Sequence, residues 1–327
     1  MQAGSVSIIV PVHNVAAYVE DCLRSVMRQT YAGPMECWVV DDCGTDDSMA
    51  KVESLLSGYA GPIVFKILHH SRNRGLSAAR NTGMDAAAGE YLFFLDSDDE
   101  LTDDCIGSLM AAASEDPAVE IVQGNAKSLP EQTSDFFHKH YTVSRATTNR
   151  EVRSCFYHSD EYIVNAWNKL IKRSFLLQNK LYFKEGILYE DWHWSFYLLK
   201  YVTDIRFVQE TTYLYKQRDD SITAVAPRTD GAFYDKLIYQ EILENLTPHY
   251  ENEEFRYFVR RFSHQYVKSH APEYDELFRL FWRKAGRFGF SGYKRLMTMF
   301  LAKRSRVFRA FVVWVSERKR TAVKRTD

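Results

Sequence analysis

Cysteine is present but makes no pattern. The 327 residues include five, Cys22, Cys37, Cys43, Cys105 and Cys155. The number is odd, and no C-x-x-C spacing occurs. That argues against a disulfide framework and against a zinc site, and it suits a reducing cytosol. Long apolar runs are missing: none approaches the roughly 18 residues a membrane span requires. The first residues lack a charged segment followed by an apolar core, so no signal peptide is expected. Two phosphate-binding signatures are also absent. No G-x-G-x-x-G follows the first predicted strand, which disfavours a dinucleotide dehydrogenase, and no G-x-x-x-x-G-K-[ST] occurs, which disfavours a P-loop enzyme.

What is there supports a globular protein. Apolar residues make up 46% and aromatics 14%, ample for a core and incompatible with wholesale disorder. The length fits two domains, or one with a long extension. Net charge is −1, which hides an asymmetry. Residues 279–327 hold 15 Lys or Arg and 2 acids, leaving 27 basic and 41 acidic residues in 1–278. Within this basic tail Leu296, Phe300, Val307, Phe311 and Trp314 share one helical face, and Arg295, Lys303, Arg306 and Arg309 the other. A basic amphipathic helix over 290–320 suits an anionic membrane surface. The alternative is a helix packed on the acidic body. No nucleic-acid-binding motif accompanies the tail, so no nucleic acid partner is expected.

Apolar, β-branched runs predict strands at 5–12, 35–40, 63–69, 91–95 and 119–123. Helical spacing predicts helices at 15–29, from about 45 to 56, at 75–88 and at 102–114. Pro11, which cannot donate to a ladder, is expected to end the first strand. Strands alternating with helices imply βαβ units and a mostly parallel sheet. Ligands then sit beyond the carboxyl ends of the strands. Three strand ends carry polar groups: His13-Asn14, Asp41-Asp42, and Asp96, Asp98 and Asp99. One Asp there reads most simply as a helix cap or a turn residue. Three within four positions repel one another unless a cation is shared, and a hard divalent cation suits a phosphate-bearing ligand. Further on, 166–176 reads as a helix opening, and Glu190-Asp191 precedes an aromatic-rich helix. That acid pair has a simple reading as complement to the helix dipole.

Four ordered blocks carry a resemblance. They are Ile8-Ile9-Val10-Pro11-Val12-His13-Asn14, Val39-Val40-Asp41-Asp42-Cys43-Gly44-Thr45-Asp46-Asp47-Ser48, Asn73-Arg74-Gly75-Leu76-Ser77-Ala78-Ala79-Arg80-Asn81-Thr82-Gly83, and Phe94-Leu95-Asp96-Ser97-Asp98-Asp99. Residues 6–125 thereby resemble family 2 glycosyltransferases of the GT-A fold. Bacterial capsule- and exopolysaccharide-building members are similar also around Tyr213–Thr223. One departure stands out: the family usually has Gly-Ser after the paired Asp, and here the residues are Cys43-Gly44.

The resemblance implies an α/β GT-A domain, a Rossmann-like, mostly parallel sheet flanked by helices, with a helical C-terminal extension. On this reading 1–225 is the transferase domain, 1–125 its nucleotide-sugar half and 126–225 its acceptor half, and 226–327 is the basic extension. It implies a nucleotide-sugar donor, UDP-linked, held by Pro11, Val12, Asn14, Asp41, Asp42, Arg80 and Asp96, with Lys169 and Arg218 as further cations for the diphosphate. A plain alternative for Arg80 is a surface pair with Asp85 or Glu90. Asp98 and Asp96 are the implied ligands of Mn2+ or Mg2+. Inverting sugar transfer needs a base for the acceptor hydroxyl and help for the departing diphosphate. Asp191 is the expected base, with Glu190 second. Aromatic walls raise a carboxyl's pKa and exclude water. Trp192 and Trp194 are the candidate acceptor-side walls, core packing being the alternative for Trp194. The implied partners are a glycan or lipid-linked acceptor and the inner, cytoplasmic face of the cell membrane; oligomeric state is left open. A nucleotidyltransferase wants a Gly- and Arg/Lys-rich loop after the first strand, and the residues there are His13-Asn14-Val15-Ala16. The competing class is a non-catalytic nucleotide-sugar or glycan-binding module of the same fold.

Overall fold

The structure, a computed structural model, describes residues 4–130, 137–159, 161–217, 231–268 and 271–304. The chain divides into two compact units, 1–224 and 225–327. In the first, β1 (Val6–Val12) is buried at every position. After it come α1 (Val19–Met27), β2 (Met35–Asp41), α2 (Ser48–Ser57), β3 (Val64–His69), α3 (Leu76–Ala86) and β4 (Tyr91–Phe94). These strands lie parallel in the order β3-β2-β1-β4, with Val12 opposite Asp41 and Ile9 opposite Phe94. Helices on both faces explain why β1 and β4 are continuous apolar runs rather than alternating ones.

Pro11 does not end β1. It stays in register with Val40. The Ile9 carbonyl accepts from Leu95 at 3.0 Å, so Pro11, two residues on, faces the gap past the end of β4. No ladder donor is needed there.

The rest of the unit contains β5 (Glu100–Leu101), α4 (Cys105–Ser114), β6 (Ile121–Leu129), β7 (Arg145–Ala146), α5 (Asn149–Tyr157), β8 (Lys169–Lys172), α6 (Arg173–Gln178), α7 (Glu190–Leu198) and β9 (Ile205–Lys216). They extend the sheet as β4-β8-β6-β9-β5, with β7 on β9. The expected helix over 166–176 is thus corrected. Residues 169–172 form a strand antiparallel to both β4 and β6, and only α6 is helical. Leu170 and Ile171 are both fully buried, one on each face of that strand.

The second unit holds α8 (Gly231–Glu244), α9 (Glu251–Lys268), α10 (Pro272–Ala285) and α11 (Gly289–Arg304). Its core is aromatic: Phe255, Phe258, Phe262 and Phe281 are buried, and Phe262 stacks on Phe281 at 4.8 Å. Leu296 and Met299 of α11 are buried, Phe300 stacks on Phe278, and Lys303 pairs with Asp275. The apolar face of the tail therefore begins as packing within this unit. Val307, Phe311, Trp314, Arg306 and Arg309 lie outside the described residues. Among the described residues no helix is long and apolar enough to cross a membrane.

Candidate active site at the carboxyl edge of the sheet

Parallel β1, β2 and β4 deliver their polar ends to one edge. Asp41 is half-buried at the end of β2. Its Oδ1 accepts the Cys43 amide at 3.0 Å, and its Oδ2 lies 2.9 Å from His69 Nδ1. Asn14 has a left-handed φ of 53°, and its Oδ1 accepts the Thr45 amide at 2.7 Å. It thereby ties the loop after β1 to the loop after β2. Pro11 and Val12 are buried at the end of β1, immediately before the His13-Asn14 loop.

Asp42 has a different task from the expected nucleotide contact. It is buried, Oδ1 accepts the Arg74 amide and meets His70 Nδ1, and Oδ2 accepts the Gly75 amide. Both oxygens serve the turn into α3. The displaced glycine after the acid pair also has a structural consequence. Cys43 itself takes the left-handed conformation, φ 54°, and its thiol donates to the His70 carbonyl. His69 and His70 escaped the sequence reading, although their place at the end of β3 is the same signal that marked the other loops.

Asp96, Asp98 and Asp99 follow β4, and they are not equivalent. Asp99 is buried, accepting from the Tyr213 hydroxyl and the Lys216 amide, both at 2.8 Å. Burial and the neighbouring acids push its carboxyl well up. Asp99 is scaffold, and Tyr213 is stacked on Trp167 at 4.4 Å behind it. Asp96 and Asp98 are half-buried at the edge.

Arg80 is not a surface residue paired with Asp85 or Glu90. It is buried in α3, with Nη2 2.6 Å from Asp96 Oδ1 and Nη1 2.6 Å from Glu190 Oε1. The bridge joins the end of β4 to the start of α7, with Arg80 and Glu190 110 residues apart. Tyr189, immediately before α7, is left-handed at φ 60°, the kind of strained residue that persists where surrounding contacts over-determine it. Glu190 is buried and Asp191 half-buried. Burial, with the Glu190 charge beside it, pushes the Asp191 carboxyl up to about 7, against the opposing pull of Arg80.

Residues 7–187 match the profile of "Glycosyl transferase family 2". The chain belongs to that family. Among similar curated proteins are glycosyltransferase GlyG of Streptococcus pneumoniae serotype 4, 29% identical over 66% of this chain and 72% of its own length, and EpsJ of Bacillus subtilis, an uncharacterized glycosyltransferase, 30% identical over 67% and 63%. Against the second, the chain therefore spans less than two thirds of the relative. Among solved structures, S. aureus TarS 1–349 in complex with UDP-GlcNAc superposes with a TM-score of 0.71 at 20% identity, over 93% of this chain and 88% of that one. That likeness confirms the GT-A fold. A mannosyltransferase from Pyrobaculum calidifontis, solved with GDP-Man and Mn2+, has a TM-score of 0.54 at 16% identity, over 91% and 86%.

The family 2 match ends three residues before Glu190, so that profile does not reach the acid pair. Two other expectations shift. Trp194 is a core residue: it is 1% exposed, donates from Nε1 to the Leu181 carbonyl and stacks on Phe183 at 4.5 Å. Trp192 is half-buried beside Phe156. Lys169 lies in β8, buried, with its ammonium on the Asn165 carbonyl and 5.1 Å from the Tyr162 ring. Burial lowers its pKa to about 7, with Asp191 opposing the shift. Arg218 lies outside the described residues.

The carboxylates fit the divalent cation such a fold implies. Asp96 and Asp98 offer hard oxygen donors from a single turn. Among the described residues no cluster of three or more His, Cys, Asp or Glu side chains is assembled for a metal. Two carboxylates in one turn suit a cation completed by water and phosphate oxygens.

Proposed function

We propose that this family 2 chain is an inverting, metal-dependent glycosyltransferase. It moves a hexosyl- or N-acetylhexosaminyl-type sugar from a UDP-linked donor to a glycan or lipid-linked acceptor of surface polysaccharide synthesis. The observation that carries this is the Arg80 bridge. It sets a metal-type carboxylate, Asp96, and the acid pair Glu190-Asp191 in one charged cluster at the ligand-binding edge of the sheet.

The roles divide by surroundings. The Pro11-Val12 backbone, Asn14 and Asp41 line the base end, with Asp41 accepting from a base N–H. Asp98, with Asp96, would hold Mn2+ or Mg2+, which when bound would supply charge neutralisation for the departing diphosphate. Asp191 takes the proton from the acceptor hydroxyl. It suits this task better than Glu190, whose carboxylate is committed to Arg80, and a base near neutrality is effective at cellular pH. Trp192 remains the acceptor-side wall. Residues 1–125 serve the donor and 126–225 the acceptor. UDP-GlcNAc in the TarS complex supports the donor class, and GDP-Man with Mn2+ in the mannosyltransferase supports the cation. The net charge of residues 279–327 supports a peripheral site of action on the cytoplasmic face of an anionic membrane.

A panel of UDP-, GDP- and dTDP-sugars, with Mn2+ or with EDTA, tests the reading. One donor should be transferred or hydrolysed with metal. Asp98→Ala should abolish this, and Asp191→Ala should lower it by about 10²- to 10⁴-fold with donor still bound. Binding of a nucleotide-sugar with no turnover on any glycan acceptor would favour the non-catalytic module.

A further inference from the structure

The segment that leads into the proposed base helix is gripped along its length by α3 and the turn before it. Tyr182 donates to Asp85 at 2.8 Å. The Phe183 amide donates to Asn81 Oδ1 at 2.9 Å, and Asn81 Nδ2 donates to the Phe183 carbonyl at 2.8 Å. Arg74 donates to Glu185 at 3.1 Å. Arg80 completes the series at Glu190. The same guanidinium is the only one of these contacts to reach back to the donor strand, through Asp96.

An arginine that ligates a diphosphate must present N–H groups to it. Arg80 has its side chain 3% exposed. Nη1 and Nη2 are each engaged by a carboxylate, and Nε is buried without a hydrogen bond. Its face covers the Phe183 ring at 5.3 Å. A planar fork with two carboxylates on its two arms is a spacer of fixed length.

We infer that Arg80 is a positioning residue for the general base, coupling the Asp96 end of the donor strand to the Glu190-Asp191 helix start, and not a ligand of the donor diphosphate. This rests on the assignment of Asp191 as base. The charged groups around Asp191 are Glu190, Arg80, Asp96 and Lys169. Removing Arg80 removes the cation that opposes protonation of Asp191, so the base titrates at higher pH and stands out of place.

The test uses the full chain as wild type, Arg80→Gln, Arg80→Lys and Glu190→Gln. Binding of UDP with Mn2+ is measured by calorimetry, turnover of the best donor is followed against pH, and Asp191 is titrated by 13C NMR in aspartate-labelled protein. For Arg80→Gln, kcat should fall about 100-fold, the loss expected of a misplaced reacting group. Its UDP affinity should stay within about threefold of wild type, and its Asp191 titration should move to higher pH. Arg80→Lys restores the charge and not the span, so its titration should return towards wild type while kcat stays low. Glu190→Gln releases one arm without stranding a bare guanidinium, and should repeat the loss in kcat even where Arg80→Gln folds poorly. A UDP affinity weakened tenfold or more, with kcat and titration unmoved, would overturn the inference and make Arg80 a donor ligand. If wild type turns over no donor, the transferase reading fails by itself. The NMR titration then still decides, because an Asp191 unmoved by Arg80→Gln removes the coupling.

Discussion

Asp42 Oδ2 accepts the Gly75 amide at 2.7 Å. Gly75 is left-handed, φ 87°, and forms the N-terminal boundary of α3. Asp42 also serves the Arg74 amide and the buried His70 ring, so its loss would leave that ring and the part-buried Arg74 amide without this acceptor. Asp42→Ala is expected to cost about 3 kcal/mol of stability, since a buried donor left unsatisfied loses its full desolvation term. Asp41→Ala removes a half-buried carboxylate and should cost under about 1 kcal/mol. UDP affinity should instead fall about tenfold, the worth of one hydrogen bond to a charged acceptor. Urea denaturation and calorimetry on both variants separate the two roles. Equal stability losses would refute the division.

Cys43 is left-handed where the family places glycine. A side chain there costs about 1 kcal/mol. Glycine avoids that, but loses about 0.5–1 kcal/mol of extra chain entropy on folding. The Cys43 thiol bond to the His70 carbonyl is lost as well. Cys43→Gly should therefore stay within about 1 kcal/mol of wild type. Cys43→Val, β-branched and least tolerant of positive φ, should cost about 2 kcal/mol. Valine as stable as cysteine in thermal unfolding would mean that the turn is not left-handed at this position.

The donor half was legible because its strands are buried on both faces and their ends stop at acids. β1, β2 and β4 announce themselves as apolar runs. β8 was not legible. Four residues, Lys169–Lys172, carry too little period to separate strand from helix, and only the flanking strands β4 and β6 decide it. Adjacent residues of one type were also opaque. Residue type alone does not distinguish Asp41 from Asp42, and only the family resemblance sets Asp98 apart from Asp99. The difference is which of each pair is buried: Asp42 and Asp99 are, whereas Asp41 and Asp98 are half-buried. Arg80 shows the same limit: its partners lie 16 and 110 residues away, beyond any helical spacing.

The two tryptophans of α7 should separate cleanly. Trp194 is enclosed by Phe94 and Phe183, so Trp194→Ala is expected to cost about 3–5 kcal/mol, as large-to-small changes in a core do. Trp192→Ala should cost about 1 kcal/mol or less and raise KM for the acceptor. Urea midpoints and acceptor kinetics give both numbers. A Trp192→Ala variant with unchanged acceptor KM would remove that residue from the acceptor wall.

The pH dependence of rate and of stability should run in opposite directions, because both depend on Asp191. Its carboxyl titrates at about 7, raised by burial and by Glu190. A base works deprotonated, so turnover should rise through pH 7 and fall about tenfold per unit below it. Glu190→Gln removes the neighbouring negative charge and should move that limb to lower pH. For stability, the folded value lies above the unfolded value of about 3.9. Between the two the folded state binds the extra proton, so stability declines as pH rises through that window. Asp191→Asn lacks this term. It should unfold at a higher temperature than wild type at pH 8, and the difference should vanish near pH 4. A flat rate profile from pH 5 to 8, together with equal melting temperatures at pH 8, would mean that Asp191 does not titrate near neutrality. The base would then have to be sought in another residue at this edge.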